Sequence, residues 1–103
     1  MSVTAQTDST RQEVTVRVQG RFDFNCAREF RQACDEGRKG IAHPRFIVDL
    51  GATEYMDSSA LGMLLMLREQ AGNVADAVRL VRIPPSVRKV LEIANFQKLF
   101  AFA

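Results

Sequence analysis

The sequence predicts an α/β domain in which a mixed β-sheet is covered by helices. Two observations carry this prediction. Short runs of β-branched and other apolar residues recur along the chain, and between them lie longer segments whose apolar residues recur at helical spacing. The predicted order is β-β-α-β-α-β-α-β, and strands that alternate with helices form mainly parallel or mixed sheets. The 103 residues suit one core, so we expect a single domain over residues 1–103.

Two strands are expected at the start of the chain. In residues 13–19, valines alternate with polar residues, which is the pattern of a strand with one buried face. Gly20 is expected to end this strand. A weaker strand is expected within Val3–Thr7, and the intervening DSTRQ has the composition of a turn.

A helix and a buried strand are expected next. Asn25 is expected to cap a helix whose apolar residues recur every three or four positions and which ends near residues 37–40. The run FIVDL, residues 46–50, is short and apolar, which suits a central strand covered on both faces. GATEYM, residues 51–56, is interpreted as a connection.

The second half of the chain continues this alternation. Asp57 or Ser58 is expected to cap a helix that runs to about Ala71. AVRLV, residues 77–81, is a predicted strand, and IPPSVRKV begins a helix with proline in its first turn. A short last strand is expected within residues 99–102.

The functional edge of such a sheet is predictable, because ligands and partners of open α/β sheets bind outside the carboxyl ends of the strands. QGRFDF follows the second predicted strand, and Asp57 and Ser58 follow FIVDL. We therefore expect these two segments to meet at one edge of the sheet.

The composition argues against several classes of protein. Hydrophobic residues make up 47% of the chain, charged residues 25%, and the net charge is +2, which is typical of a globular domain. No apolar run is long enough for a membrane span or a signal core, so a cytoplasmic location is expected. Nucleic-acid binding is not expected either, because the densest group of basic residues has no aromatic residues within it. That group consists of Arg79, Arg82, Arg88 and Lys89.

No catalytic, metal or cofactor site is expected. His43 is the only histidine, and no residue pattern places it beside a nucleophile. Cys26 and Cys34 are eight residues apart on a predicted helix, about 12 Å along its axis, which is too far for a disulfide. Each is interpreted as a small hydrophobic residue. The chain also lacks a glycine-rich phosphate loop.

The segment DSSALG, residues 57–62, has two interpretations. In the first, Asp57 is an ordinary N-cap that accepts hydrogen bonds from the first turn. In the second, Ser58 is the first helical residue, and its exposed hydroxyl is a phosphate acceptor. The helix N-terminus would favour the added charge and Asp57 would oppose it. A phosphate there would change the local surface at little cost to the fold.

The apolar run that follows also has two interpretations. From Leu61 to Leu67, every residue except Gly62 is a large hydrophobe, although a surface helix needs only one apolar stripe. One interpretation is a helix packed on both sides. In the other, Leu61, Leu64 and Leu65 face the sheet, and a docking face for a protein partner remains. That face would contain Met63, Met66 and Leu67.

FIVDLGATEYMDSSALGMLL resembles the signature of STAS domains, in particular of bacterial anti-sigma factor antagonists. That signature consists of a strand of the type I-V-L-D-L and a turn of the type Met-Asp-Ser-Ser/Thr-Gly-Leu-Gly that enters a helix. QGRFDF is similar to the family's G-x-[LF]-D stretch, and VRIPPSVRKVLEIANFQKLF is similar to its late segment. The resemblance therefore extends over the whole chain and implies the family's fold.

The resemblance also implies a phosphorylation switch without enzymatic activity. The unphosphorylated protein would bind an anti-sigma factor, usually a serine kinase of the GHKL type, and so free a sigma factor. The kinase would phosphorylate the serine that follows the Asp and so release itself. A PP2C-type phosphatase would reverse this step.

Carried onto this chain, the resemblance implies a role for each matching residue. The phosphate acceptor would be Ser58, with Ser59 as second choice. Asp57 would cap the helix and orient Ser58. The residues expected to contact the partner are Asp23, Asp57, Ser59, Ala60 and Met63.

Two departures from the family pattern are visible. Ala60 stands where the family usually has glycine, so a stiffer first helical turn is expected. The chain stops at Ala103, where many members carry one more helix, so part of the sheet is expected to be less covered, which favours a dimer or a fused partner. The expected oligomeric state is a monomer or a weak dimer. The alternative function is that of a STAS subunit docked on the ATPase of a lipid-transport ABC system. A third, small-ligand or nucleotide binding at the same edge, lacks a glycine-rich phosphate loop.

Overall fold

The structure is a computed structural model that describes residues 2–102. Six strands and three helices alternate along these residues, joined by short loops and 3-10 turns. In chain order they are β1 (Ser2–Asp8), β2 (Glu13–Phe22), α1 (Ala27–Gly37), β3 (Arg45–Asp49), β4 (Thr53–Met56), α2 (Ser58–Gln70), β5 (Val78–Val81), α3 (Pro85–Ile93) and β6 (Ala101–Phe102).

The strands form one mixed sheet in the order β1-β2-β3-β5-β6, with β4 paired separately to β2. The pair β1–β2 is antiparallel, and the other pairs are parallel. The predicted fold class, a single α/β domain with a mixed sheet and helical cover, is confirmed. The predicted order lacked only one of its elements, β4.

The long strand β2 pairs in parallel with two different strands, one after the other along its length. Residues 13–17 pair with β3, and residues 20–22 pair with β4. The prediction that Gly20 ends the strand is wrong, because the chain continues extended to Phe22. Gly20 instead adopts a φ of 91°, its N–H donates to the carbonyl of Ala52 at 2.9 Å, and the pairing register shifts after it. Glycine suits this irregularity because the left-handed region costs it little.

The start of α1 also differs from the prediction. Asn25 is not the N-cap. Asp23 is extended and accepts a hydrogen bond from the Asn25 N–H at 3.0 Å, which opens a 3-10 turn over Phe24–Cys26. The α-helix begins directly after that turn. An aspartate placed just before the first free N–H groups of a helical segment satisfies one of them, which the asparagine inside the turn cannot do.

The core lies where the helices cover the sheet. Val14, Val16 and Val18 of β2 are fully buried, which confirms the predicted alternation. β3 is central, between β2 and β5, as predicted. Only alternate residues of β3 are fully buried, however, and Ile47 is half-buried, so the expected complete cover of both faces is wrong.

Helix α1 approaches the sheet closely at its end. Gly37 is buried, its carbonyl accepts the Thr7 hydroxyl at 2.8 Å, and a Cβ at this position would lie 2.5 Å from Cγ1 of Val14. A glycine is therefore required there by packing. None of the helices within residues 2–102 combines the length and the apolar content needed to cross a membrane.

Candidate functional site

Two aspartates lie side by side at the carboxyl ends of β2 and β4. Phe22 and Met56 are parallel register partners, and Asp23 and Asp57 are the residues that follow them. The Asp57 N–H points to the Phe22 carbonyl at 3.4 Å, so the two segments stay in contact as they leave the sheet. The predicted meeting of QGRFDF and the DSSALG segment at one edge is confirmed.

Asp57 is the N-cap of α2. Its backbone is extended, and Oδ1 accepts hydrogen bonds from the Ser59 N–H at 2.9 Å and the Ala60 N–H at 3.2 Å. Of the two predicted cap residues, Asp57 is therefore the one observed. Ser58 is the first helical residue, and its side chain takes no part in the cap.

The two serines differ in access to solvent. Ser58 is exposed, whereas Ser59 is half-buried. A hydroxyl at Ser58 can therefore be reached by another protein, and a phosphate added there would stand at the positive end of the helix dipole. The Asp57 carboxylate would oppose the added charge. The geometry thus leaves the Ser58 hydroxyl exposed at the start of α2, outside the cap.

The neighbouring cap, Asp23, uses both carboxylate oxygens within the protein. Oδ1 caps the 3-10 turn, and Oδ2 accepts from Nε of Arg21 at 3.3 Å. Asp23 is only 9% exposed and offers little surface of its own to a partner. Its neighbours supply that surface, because Arg21 is exposed and Phe24 is 74% exposed.

Arg21 is held in place by a second contact. Its guanidinium carbon lies 4.2 Å from the centre of the Tyr55 ring, and Tyr55 is itself 42% exposed. The resemblance implied contacts by Asp23 and its neighbours without specifying Arg21 or Phe24, and Tyr55 was missed. The only available signal was the alternation in QGRFDF, which places Arg21 and Asp23 on one face of a strand, but Tyr55 could be added only once β4 was known.

The predicted partner face on α2 needs a correction. Ala60 was expected to contact a partner, but its side chain is fully buried. Positions 60, 64 and 67 share one helical face, and Leu64 and Leu67 are also buried, so this face packs on the sheet. The expected exposure of Leu67 is wrong for the same reason.

Other apolar residues of α2 remain accessible. Leu65, expected to face the sheet, is 42% exposed, and Met66 is 50% exposed. Met63, a predicted contact, is half-buried against the core. The helix therefore does carry more apolar surface than the fold covers, as one of the two interpretations of the run held.

Metal and thiol chemistry find no support in the part of the chain that the structure describes. No group of three or more His, Cys, Asp or Glu side chains within residues 2–102 is placed to hold a metal. Cys26 and Cys34 are buried and not disulfide-bonded, as predicted. Burial raises the pKa of Cys34 to about 12, so this thiol stays protonated and unreactive at neutral pH.

These features are those of a small α/β domain with an exposed serine at one edge of its sheet. The family model described as Mlab, STAS domain matches residues 5–101, and the chain belongs to the STAS domain family. A STAS-domain containing protein of Pseudomonas aeruginosa is 46% identical over 100 residues, which cover 97% of each chain. BtrV of Bordetella bronchiseptica, provisionally named an anti-sigma factor antagonist, is 34% identical over 59 residues, 57% of this chain and 51% of BtrV.

Solved structures show the same fold. An anti-sigma factor antagonist from Mycobacterium paratuberculosis matches with a TM-score of 0.77 at 24% identity, over 98% of this chain and 85% of that one. The anti-sigma factor antagonist SpoIIAA in its unphosphorylated form matches with a TM-score of 0.72 at 23% identity, over 99% of this chain and 87% of that one.

Proposed function

We propose that this protein is a phosphorylation-regulated anti-sigma factor antagonist. The observation that carries the proposal is the exposed hydroxyl of Ser58, which begins α2 directly after the Asp57 cap. The names of BtrV and of the matching structures support it, and SpoIIAA has been solved in both an unphosphorylated and a phosphorylated form. The role is regulatory and works by binding.

The unphosphorylated protein binds an anti-sigma factor that is a serine kinase of the GHKL type. Ser58, Arg21, Phe24 and the surrounding edge of the sheet form the contact. Aromatic residues and arginines often dominate interface energies. Here Phe24 and Tyr55 are exposed, and Arg21 lies against the Tyr55 ring. The cytoplasm is the compartment we propose, since a kinase that uses ATP and a sigma factor both work there.

Phosphorylation of Ser58 releases the partner. A phosphoserine carries about −1.5 to −2 charges at neutral pH. An unpaired charge buried in an interface costs about 2–5 kcal/mol, which is enough to dissociate a complex of moderate affinity. Phosphorylation does not disturb the fold, because the Ser58 hydroxyl is exposed to solvent at the N-terminus of α2. A PP2C-type phosphatase restores the binding form.

The proposal is tested by mass spectrometry of the protein recovered from its host. We expect one phosphate on the peptide that contains Ser58 and Ser59, and its loss in Ser58→Ala but not in Ser59→Ala. No phosphate under any growth condition, together with co-purification of a transporter ATPase rather than a kinase, would favour the lipid-transport alternative.

A further inference from the structure

An apolar groove runs between α1 and α2, apart from the serine. We call it the α1–α2 groove, and it is lined by Ala27, Phe30 and Cys34 from α1 and by Met63, Met66 and Leu67 from α2. The groove is open to solvent and has a volume of about 180 Å³. Most of the side chains that line it are apolar.

The floor and the wall of the groove differ in burial. Phe30 and Leu67 are buried and fix the floor, whereas Met66 on the wall is 50% exposed. Methionine is unbranched and polarizable, so it adapts to the shape of an incoming apolar side chain. The groove therefore combines a buried base with an exposed side of adaptable shape.

The α1 side of the groove is positively charged. Arg31 lines the groove, and Arg28 lies one turn before it on the same side of the helix. Both are exposed, and within residues 2–102 neither forms an ion pair, whereas Arg21, Arg82 and Arg88 do.

The nearest acids offset these charges only in part. Asp35 and Glu36 line the neighbouring surface together with Arg28 and Arg31, but they do not line the groove itself. Glu29 lies on the other side of α1, towards β1. Asp35, one turn beyond Arg31, is not within ion-pair distance of any arginine that the structure describes. The groove thus offers apolar surface beside two available cations.

The length of the groove and the helices that form its walls favour a helical occupant over an extended peptide. The groove runs from Ala27 to Cys34 on one helix and from Met63 to Gln70 on the other. Each range covers eight residues, whose ends are about 10 Å, or two helical turns, apart. An extended peptide would gain no backbone pairing here, because both walls are helices whose backbone groups bond internally. A helix needs no such pairing and presents apolar residues at i, i+3 or i+4, and i+7.

We propose that the α1–α2 groove binds an amphipathic helix of a partner protein that carries acidic residues beside its apolar stripe. This surface is additional to the contact around Ser58. Met63 follows Ser58 by five residues, or about 7.5 Å of helix, so one partner can contact both surfaces. Binding in the groove does not require that Ser58 be phosphorylated.

The test uses the full chain with ¹³C-labelled methionine methyl groups and two synthetic peptides. One peptide, of about 15 residues so that it forms a helix, carries leucines at the spacing given above and glutamates on both sides of them. The other has lysine in place of each glutamate. We expect the glutamate peptide to move the methyl signals of Met63 and Met66 and to leave that of the buried Met56 unchanged.

The charges predict the order of affinities. The glutamate peptide should bind about tenfold more tightly, since two attractive contacts become repulsive in the lysine peptide. The double substitution Arg28→Glu with Arg31→Glu should reverse that preference. Met66→Lys should abolish binding, and Leu65→Lys, at an equally exposed position outside the groove, should not.

Four results would overturn the proposal. The first is equal affinity for both peptides, and the second is the absence of any shift with either. The third is movement of the methyl signals with protein concentration alone, which would indicate a second copy of the chain. The fourth is movement only with anionic phospholipid vesicles, which would indicate a lipid surface. None of these results depends on whether Ser58 is phosphorylated in the host.

Discussion

The guanidinium of Arg21 lies 4.2 Å from the centre of the Tyr55 ring, and the two residues are register partners on β2 and β4. The Nε of Arg21 also donates to Asp23 at 3.3 Å. These contacts hold an exposed cation on the edge from which α2 starts, three residues along the chain from Tyr55 to Ser58. Arg21 and Ser58 therefore belong to segments at the same edge of the sheet, and we expect the Arg21 charge to favour an anion at Ser58.

Installing phosphoserine at position 58 by genetic encoding tests this expectation without the kinase. The Arg21 charge favours the dianionic phosphate, so the second pKa of the phosphate, ordinarily about 6, should be lower by a few tenths than in the Arg21→Gln variant. Phosphorus NMR titration measures it. Arg21→Lys, which keeps the charge, is the matched control and should restore most of the difference. Identical titration in all three proteins would mean that Arg21 does not sense the phosphate.

Ser58 variants should separate binding from release. Ser58→Ala should bind the kinase and resist release, and should therefore recover the partner from host extracts. Ser58→Asp should bind at least about tenfold more weakly, because the carboxylate loses water at the interface without gaining a partner. Calorimetry with the recovered kinase measures both affinities. The same substitutions at half-buried Ser59 form the control set, and equal affinity of both Ser58 variants would leave Ser58 as only the first residue of a helix.

Two glycines in helices should respond to alanine in opposite ways. Gly37→Ala should destabilise the protein by about 1–3 kcal/mol, because the new Cβ would lie 2.5 Å from the buried Val14 side chain. Gly62→Ala in α2 meets nothing within 4 Å and should stabilise by about 0.5–1 kcal/mol. Urea denaturation measures both. A stabilised Gly62→Ala variant that no longer binds the kinase would indicate that the partner backbone approaches the helix there.

The Cys34 thiol should make stability depend on pH only in the alkaline range. Its pKa is about 12 in the folded protein and about 9.0 in the unfolded chain. The unfolded chain therefore loses the proton first, and the contribution that is present below pH 9 is lost as the pH rises from 9 towards 12. When the pH is raised from below 9 to above 9, the free energy of unfolding should fall further in wild type than in Cys34→Val. Urea midpoints compare the two, and an equal loss in both proteins would contradict the assignment to Cys34.

The features predicted from the sequence are those that depend on a few neighbouring residues. Alternation revealed β2, and the helix start at Asp57 followed from capping chemistry. β4 was missed because TEYM is short, does not alternate and becomes a strand only by pairing with the end of β2. The predicted orientation of α2 was partly wrong because every residue from Ala60 to Leu67 except Gly62 is apolar. The sequence therefore does not mark which face of the helix, such as that of Ala60, points inward.

The change of partner along β2 has a consequence for how such a protein can diversify. Residues 13–17 belong to the main ladder with β3, whereas residues 20–22 pair only with β4, beyond the irregularity at Gly20. Arg21 is the exposed residue of the far end, so its substitution changes the surface at this edge without entering the main ladder, whereas Phe22 beside it belongs to the core. Selection for a changed surface and selection for a durable fold can thus act on adjacent residues of one strand, so the first can change while the second is kept.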